Sequence, residues 1–142
     1  MARRSRSREV VFQVLYQDDL NPRNDAAADE YLVAQRLQAE DLVRFACELL
    51  AGVRQHRREL DQLIEQTAAN WSLHRMAATD RNVLRLGAYE ILHSDTPPRV
   101  AIDEAVELAK RFGAAQSAQF VNGVLDRLMH TESESPLPPG DG

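Results

Sequence analysis

One cysteine, one lysine and no long apolar run set the first limits on this chain of 142 residues. The lone thiol, Cys47, excludes an internal disulfide and any cysteine-based metal cluster. No stretch comes near the roughly 18 apolar residues that a membrane-spanning helix requires. The start, MARRSRSREVV, is basic but has no uninterrupted apolar segment behind it, so a secretory signal is not expected. Nor is an organellar transit peptide, because Glu9, Asp18 and Asp19 follow at once and such peptides avoid acids. These absences favour cytoplasmic residence. Asn70-Trp71-Ser72 has the form of a glycosylation acceptor but, without export, no route to modification. Strand signals are equally scarce, since no segment alternates with period two. There is no Walker loop and no dinucleotide-binding glycine pattern. His56, His74, His93 and His130 are dispersed and read as ordinary helix-surface residues. No catalytic activity, no cofactor and no metal site are expected.

What is present is ordinary for a folded domain: 44% hydrophobic and 27% charged residues, over a length that suits one core. The net charge is −5, and Arg3, Arg4, Arg6 and Arg8 place four positive charges in the first eight residues, so the remainder carries −9. Because sixteen of the seventeen basic residues are arginine, an arginine is not by itself a phosphate contact. Apolar residues recur at helical spacing throughout. Val10, Val11, Val14 and Leu15 mark one face of a helix from Arg8 to Leu20, ended by Asn21-Pro22. A second helix is predicted over 26–37, and a third over about 40–56, weakened at Gly52, which either stops there or continues to Asn70. Trp71-Ser72 reads as a bend. Thr79 is placed to cap the next helix, which has Asp80 in its first turn and carries Val83, Leu84, Leu86, Ile91 and Leu92. Pro98 can open a further helix and Gly113 close it. Ser117 can cap the last, which runs to about His130, and residues 131–142 form an acidic tail expected to be disordered. The fold class is all-α: six or seven helices in one domain over residues 1–130, with two helical halves divided near Trp71 left open.

The segment FVNGVLDRL, Phe120 to Leu128, carries two signals. Asn-Gly is a strong hairpin signal, yet Val121, Val124, Leu125 and Leu128 lie on one helix face. With no sheet for a hairpin to join, the helix prevails. Glycine there costs about 1 kcal/mol relative to alanine, so something should compensate. Either Gly123 admits a neighbouring helix while Asn122 bonds a backbone group, or Asn122 and Phe120 belong to a ligand-facing surface. The arginine cluster also has two readings. Cations at the positive end of a helix are locally unfavourable, which a phosphate backbone would explain, but a solvated arm contacting nothing is the alternative.

These blocks carry a resemblance. RFGAAQSAQFVNGVLDRL, AIDEAVELAK, DRNVLRLGAYEIL and SREVVFQVLYQ stand in the order and spacing of the NusB family of bacterial transcription antitermination factors, and together they span Arg3 to about Leu128. The resemblance implies an all-helical fold and a protein that binds the boxA element of nascent RNA. It places Arg4, Arg6 and Arg8 on phosphates or bases and brings Tyr16, Gln116, Phe120 and Asn122 to the RNA-binding region. Serines interrupt the arginine run at Ser5 and Ser7, and Gln116 stands where relatives can carry an acid. Tyr16 can stack on a base or serve as a core tyrosine with its hydroxyl at the surface. The resemblance also implies a partner, the small-subunit ribosomal protein NusE, met by Asp80, Arg81, Tyr89 and Glu90, and an antitermination complex on RNA polymerase. The free protein can be a monomer or a homodimer.

Two alternatives remain. A similar FVNGVLR segment occurs in the NusB-like domain that precedes some ribosomal RNA cytosine methyltransferases, but here Asp126 follows Val124-Leu125 and a free-standing factor is expected. The other is a helical scaffold that binds protein and never RNA. Cys47 reads as a structural thiol among Phe45, Ala46, Leu49 and Leu50. Asp103, Glu104, Glu107, Lys110 and Arg111 read as a solvated, salt-bridged helix face.

Overall fold

A computed structural model, described over residues 2–21, 26–69 and 71–134, contains seven α-helices and, among those residues, no strand. The helices are α1 (Ala2–Leu20), α2 (Ala26–Leu37), α3 (Glu40–Gln55), α4 (Arg57–Thr67), α5 (Ala78–His93), α6 (Pro98–Phe112) and α7 (Ser117–Glu134), with a 3-10 turn at Leu73–Arg75. Helix α5 is the hub and packs against α1, α3, α4, α6 and α7. Its residues Asn82 to Ala88 and Glu90 are all buried. A helix covered on every side must satisfy its polar groups internally. Asn82 donates to Asp19 at 2.9 Å, Arg85 grips Asp61 through two bonds of 2.8 and 3.1 Å, and Glu90 receives Arg8. One apolar cluster, from Val10 in α1 to Leu128 in α7, runs through both proposed halves, which therefore share a core.

Val10, Val11, Val14 and Leu15 are buried as their spacing predicts, but α1 starts at Ala2 rather than near Arg8. Its first turns are tied down: Ser5 donates to Glu104 at 2.9 Å, and the fully buried Ser7 donates to the Leu42 carbonyl at 3.1 Å. The third helical segment breaks at His56, where φ −100° and ψ 13° interrupt the helix while the N–H still reaches the Gly52 carbonyl at 3.0 Å. Asn70 lies outside the described residues, as do Pro22 and residues 135–142 of the expected tail. Residues 131–134 continue α7.

Pro98 opens α6 at its first position and Gly113 closes it. The glycine is explained by space, since a Cβ would meet Ser117 Oγ at 2.5 Å and the Ala109 carbonyl at 2.8 Å. Thr79 is not a cap: α5 starts at Ala78, after an extended Ala77 that makes no side-chain capping bond. Ser117 is the first residue of α7 and its Oγ accepts from the Ala114 N–H at 2.9 Å. Gly123 is exposed, and a Cβ there would meet nothing within 4 Å, so close helix packing does not account for it. Close approach occurs instead at Gly52, where a Cβ would strike the Tyr89 ring, and at Gly87, where it would meet Leu125 Cδ1 at 2.6 Å. No helix among the described residues is long and apolar enough to cross a membrane.

Candidate nucleic-acid interface

The arginines at the start of α1 have different fates because successive helical residues point about 100° apart. Arg4 is exposed, and its guanidinium lies 4.2 Å from the centroid of the half-buried Phe45 ring. That cation–π contact holds the cation on a flat apolar support. Arg6 is half exposed, 3.5 Å from Glu9. Arg8 is turned inward with a side chain 5% exposed, gripping Glu90 through two bonds of 2.7 and 2.8 Å and lying 3.7 Å from Glu104. Thr96 Oγ1 donates to the second Glu90 oxygen at 2.8 Å. The pair corrects two expectations: Arg8 is spent on its own fold rather than offered to phosphate, and Glu90 faces the interior rather than a partner. Burial explains both, since neither charge could stay buried without the other.

Arg4 and Arg8 line a cleft together with Phe45, Tyr89, His93 and Glu104. One residue expected to face RNA, Arg4, and one expected to face the partner, Tyr89, therefore share this cleft. Tyr89 is half-buried, seated over Gly52.

A second cleft, of about 430 Å³, gathers Gln116 and Phe120 with Trp71, Arg75, Gln119 and Asp80. Trp71 is 51% exposed and its ring tilts onto Phe120 at 5.7 Å between centroids. Asp80, expected on a partner face, sits here beside the RNA-facing residues, and its Oδ1 is shielded with no hydrogen-bond partner among the described residues. Asn122 is exposed on α7.

Tyr16 stands in a third groove, next to Phe12 at 6.1 Å, which in turn meets Phe112 at 5.3 Å. Phe12 is buried while Tyr16 is partly exposed, so the tyrosine has one face in the core and its outer part at the surface. Arg111 lies over Phe112 at 5.0 Å and donates to Glu9 at 2.8 Å; only Lys110 and Glu107, 3.6 Å apart, keep the expected pairing on α6.

Arg81 is also corrected. It donates to Asp19 at 2.7 Å and to the carbonyls of Leu73 and Met76 at 2.8 and 2.9 Å, so it fastens the 3-10 turn to α1 and α5. Burial pushes the Asp19 carboxyl up, but hydrogen bonds from Arg81 and Asn82 and the charges of Arg81 and Arg85 outweigh it and hold the group below its ordinary value. Burial and the nearby Glu30 raise the Cys47 thiol, which fits an unreactive sulfhydryl.

Sequence reasoning missed Phe45, Trp71, Phe112 and Arg75 as parts of these clefts. Trp71 alone gave a signal, as a lone tryptophan at a polar bend.

The NusB family model matches residues 5–130, nearly all of the helical body. The chain belongs to the NusB family. Transcription antitermination protein NusB of Myxococcus xanthus is 46% identical over 133 residues, covering 90% of this chain and 95% of that protein. A crystal structure of NusB from T. maritima is 37% identical, with a TM-score of 0.77 over 89% of this chain and 90% of that one. A crystal structure of antitermination factors NusB and NusE in complex with double-stranded RNA contains a chain 28% identical, with a TM-score of 0.84 over 92% of this chain and 98% of that one. Membership of the NusB family agrees with the helical fold read from the sequence.

Proposed function

We propose that this protein is a transcription antitermination factor that binds boxA RNA together with NusE and joins the antitermination complex on RNA polymerase, notably on ribosomal RNA operons. The observation that carries the reading is the match over nearly the whole chain to a NusB seen with NusE and RNA. The protein acts in the cytoplasm as an adaptor, without chemistry of its own. Arg4 and Arg6 neutralise phosphates; Arg8 acts through Glu90 by fixing the first turns of α1, and so the place where Arg4 and Arg6 stand. Phe120 and Tyr16 offer rings for bases, and Gln116 and Asn122 offer hydrogen bonds. Tyr89 belongs to the surface that meets NusE.

The test is a salt titration of boxA RNA binding with and without purified NusE. Binding should tighten with NusE and weaken with salt, and the Arg4→Ala, Arg6→Ala double variant should reduce the log–log salt slope by about 1 to 2. Circular dichroism should be unchanged. Equal binding by the double variant at every salt concentration refutes the phosphate role, and no affinity with or without NusE refutes the RNA reading in favour of a protein scaffold.

A further inference from the structure

Two histidines far apart in the chain meet on the surface with a glutamate between them. His56 lies at the break between α3 and α4, Glu59 in the first turn of α4, and His93 is the last residue of α5. His56 Nδ1 is 3.1 Å from Glu59 Oε1, and His93 Nε2 is 3.2 Å from the same oxygen. The imidazoles are stacked, with centroids 4.0 Å apart and planes 17° apart. All three donor atoms lie within 4.8 Å of one another. The dispersed, ordinary histidines expected from the sequence are thus two neighbours and two others.

We propose that His56, Glu59 and His93 form a binding site for a divalent transition-metal cation, with Zn²⁺ the best chemical match. Two imidazole nitrogens and one carboxylate oxygen are the donor set that borderline metals prefer, and hard cations such as Mg²⁺ prefer oxygen alone. The spacing fits: ligands 2.0–2.1 Å from a tetrahedral zinc stand about 3.3 Å apart, close to the two nitrogen–oxygen separations. The two imidazole nitrogens lie within 4.8 Å of each other, and for both in-plane lone pairs to meet at one ion the stacked rings must tilt out of their stack, which the exposure of His93 at the end of α5 allows. All three residues sit on helices or at a helix junction, so their backbones are already placed. Tyr89 flanks both rings, with centroids 5.9 Å from His56 and 5.6 Å from His93, and walls one side of the site. The side chains are 31%, 48% and 27% exposed, which leaves the outer coordination positions open to water.

The test uses the full-length protein without a histidine tag, titrated with Zn²⁺ against a chromophoric chelator. One equivalent should bind. His93→Ala and Glu59→Gln should each weaken binding at least tenfold with circular dichroism unchanged, and His74→Ala and His130→Ala should bind as the parent does. His56→Ala should behave like His93→Ala wherever it folds. Absence of stoichiometric binding, or parental affinity in either His93→Ala or Glu59→Gln, overturns the site, as does loss of binding in His74→Ala or His130→Ala alone.

Discussion

Helices α1 and α5 run antiparallel and are clamped at both ends, with opposite polarity. At one end α1 supplies the cation, Arg8, and α5 the anion, Glu90; at the other α1 supplies the anion, Asp19, and α5 the cations, Arg81 and Arg85. The Arg8 clamp is nearly closed to solvent, with side chains 5% and 1% exposed, and its centre is one bidentate pair, flanked by Thr96 on Glu90 and by Glu104 at 3.7 Å from Arg8. The Asp19 clamp is shared among Arg81, Asn82, Arg85 and, at 3.8 Å, Arg57. A closed pair depends on both members, whereas a shared hub can lose one and keep the rest. Only the closed clamp lies beneath the cleft where Arg4 and Tyr89 stand.

The largest expected effect follows from that contrast. Glu90→Ala leaves the buried Arg8 with only the more distant Glu104 and should cost about 3–5 kcal/mol in urea unfolding, and the apolar double variant Arg8→Met, Glu90→Leu should recover most of it. If the single variant costs no more than a hub variant, the two clamps are equivalent. At the hub, Arg81→Ala should cost about 1–3 kcal/mol, because it removes the side-chain donor to the Met76 carbonyl and one of the two donors to the Leu73 carbonyl, which keeps the Met76 N–H, while Asp19 keeps Asn82 and Arg85. Asp19 is held below its ordinary value, so its contribution is complete above the unfolded carboxylate value of about 3.9 and is lost as pH falls through the lower folded value. The midpoint of thermal unfolding should therefore fall below about pH 4, and Asp19→Asn, less stable at neutral pH, should approach the parent in acid. Parallel curves for the two proteins would remove Asp19 from the acid response. The baseline for both clamps is Gly123→Ala, which should raise stability by about 0.5–1 kcal/mol because the glycine is helical and its missing methyl has open space. Destabilisation there would mean a packing role after all.

Much of the fold was legible because helical periodicity is local. Val10, Val11, Val14 and Leu15, the Pro98 start and the Gly113 stop are each written within a few residues. The family was legible for the opposite reason: four blocks held in register over most of the chain carry far more information than any one of them. Individual site roles were less legible. Arg4, Arg6 and Arg8 look alike in sequence, and only the 82-residue pairing with Glu90 separates the inward one from the outward two. The serines between them read as gaps in a basic run, yet Ser7 is where α1 presses on α3 and a long side chain has no room. His93 and Glu59 are 34 residues apart, a separation no periodicity reports.

The close fit of Tyr89 over Gly52 has a wider meaning. The aromatic ring rests in a notch whose depth is fixed by a single hydrogen atom on α3, so any methyl added there would lift the ring outward. The contour offered to another molecule is thus set from beneath, by a residue that no visitor would ever touch.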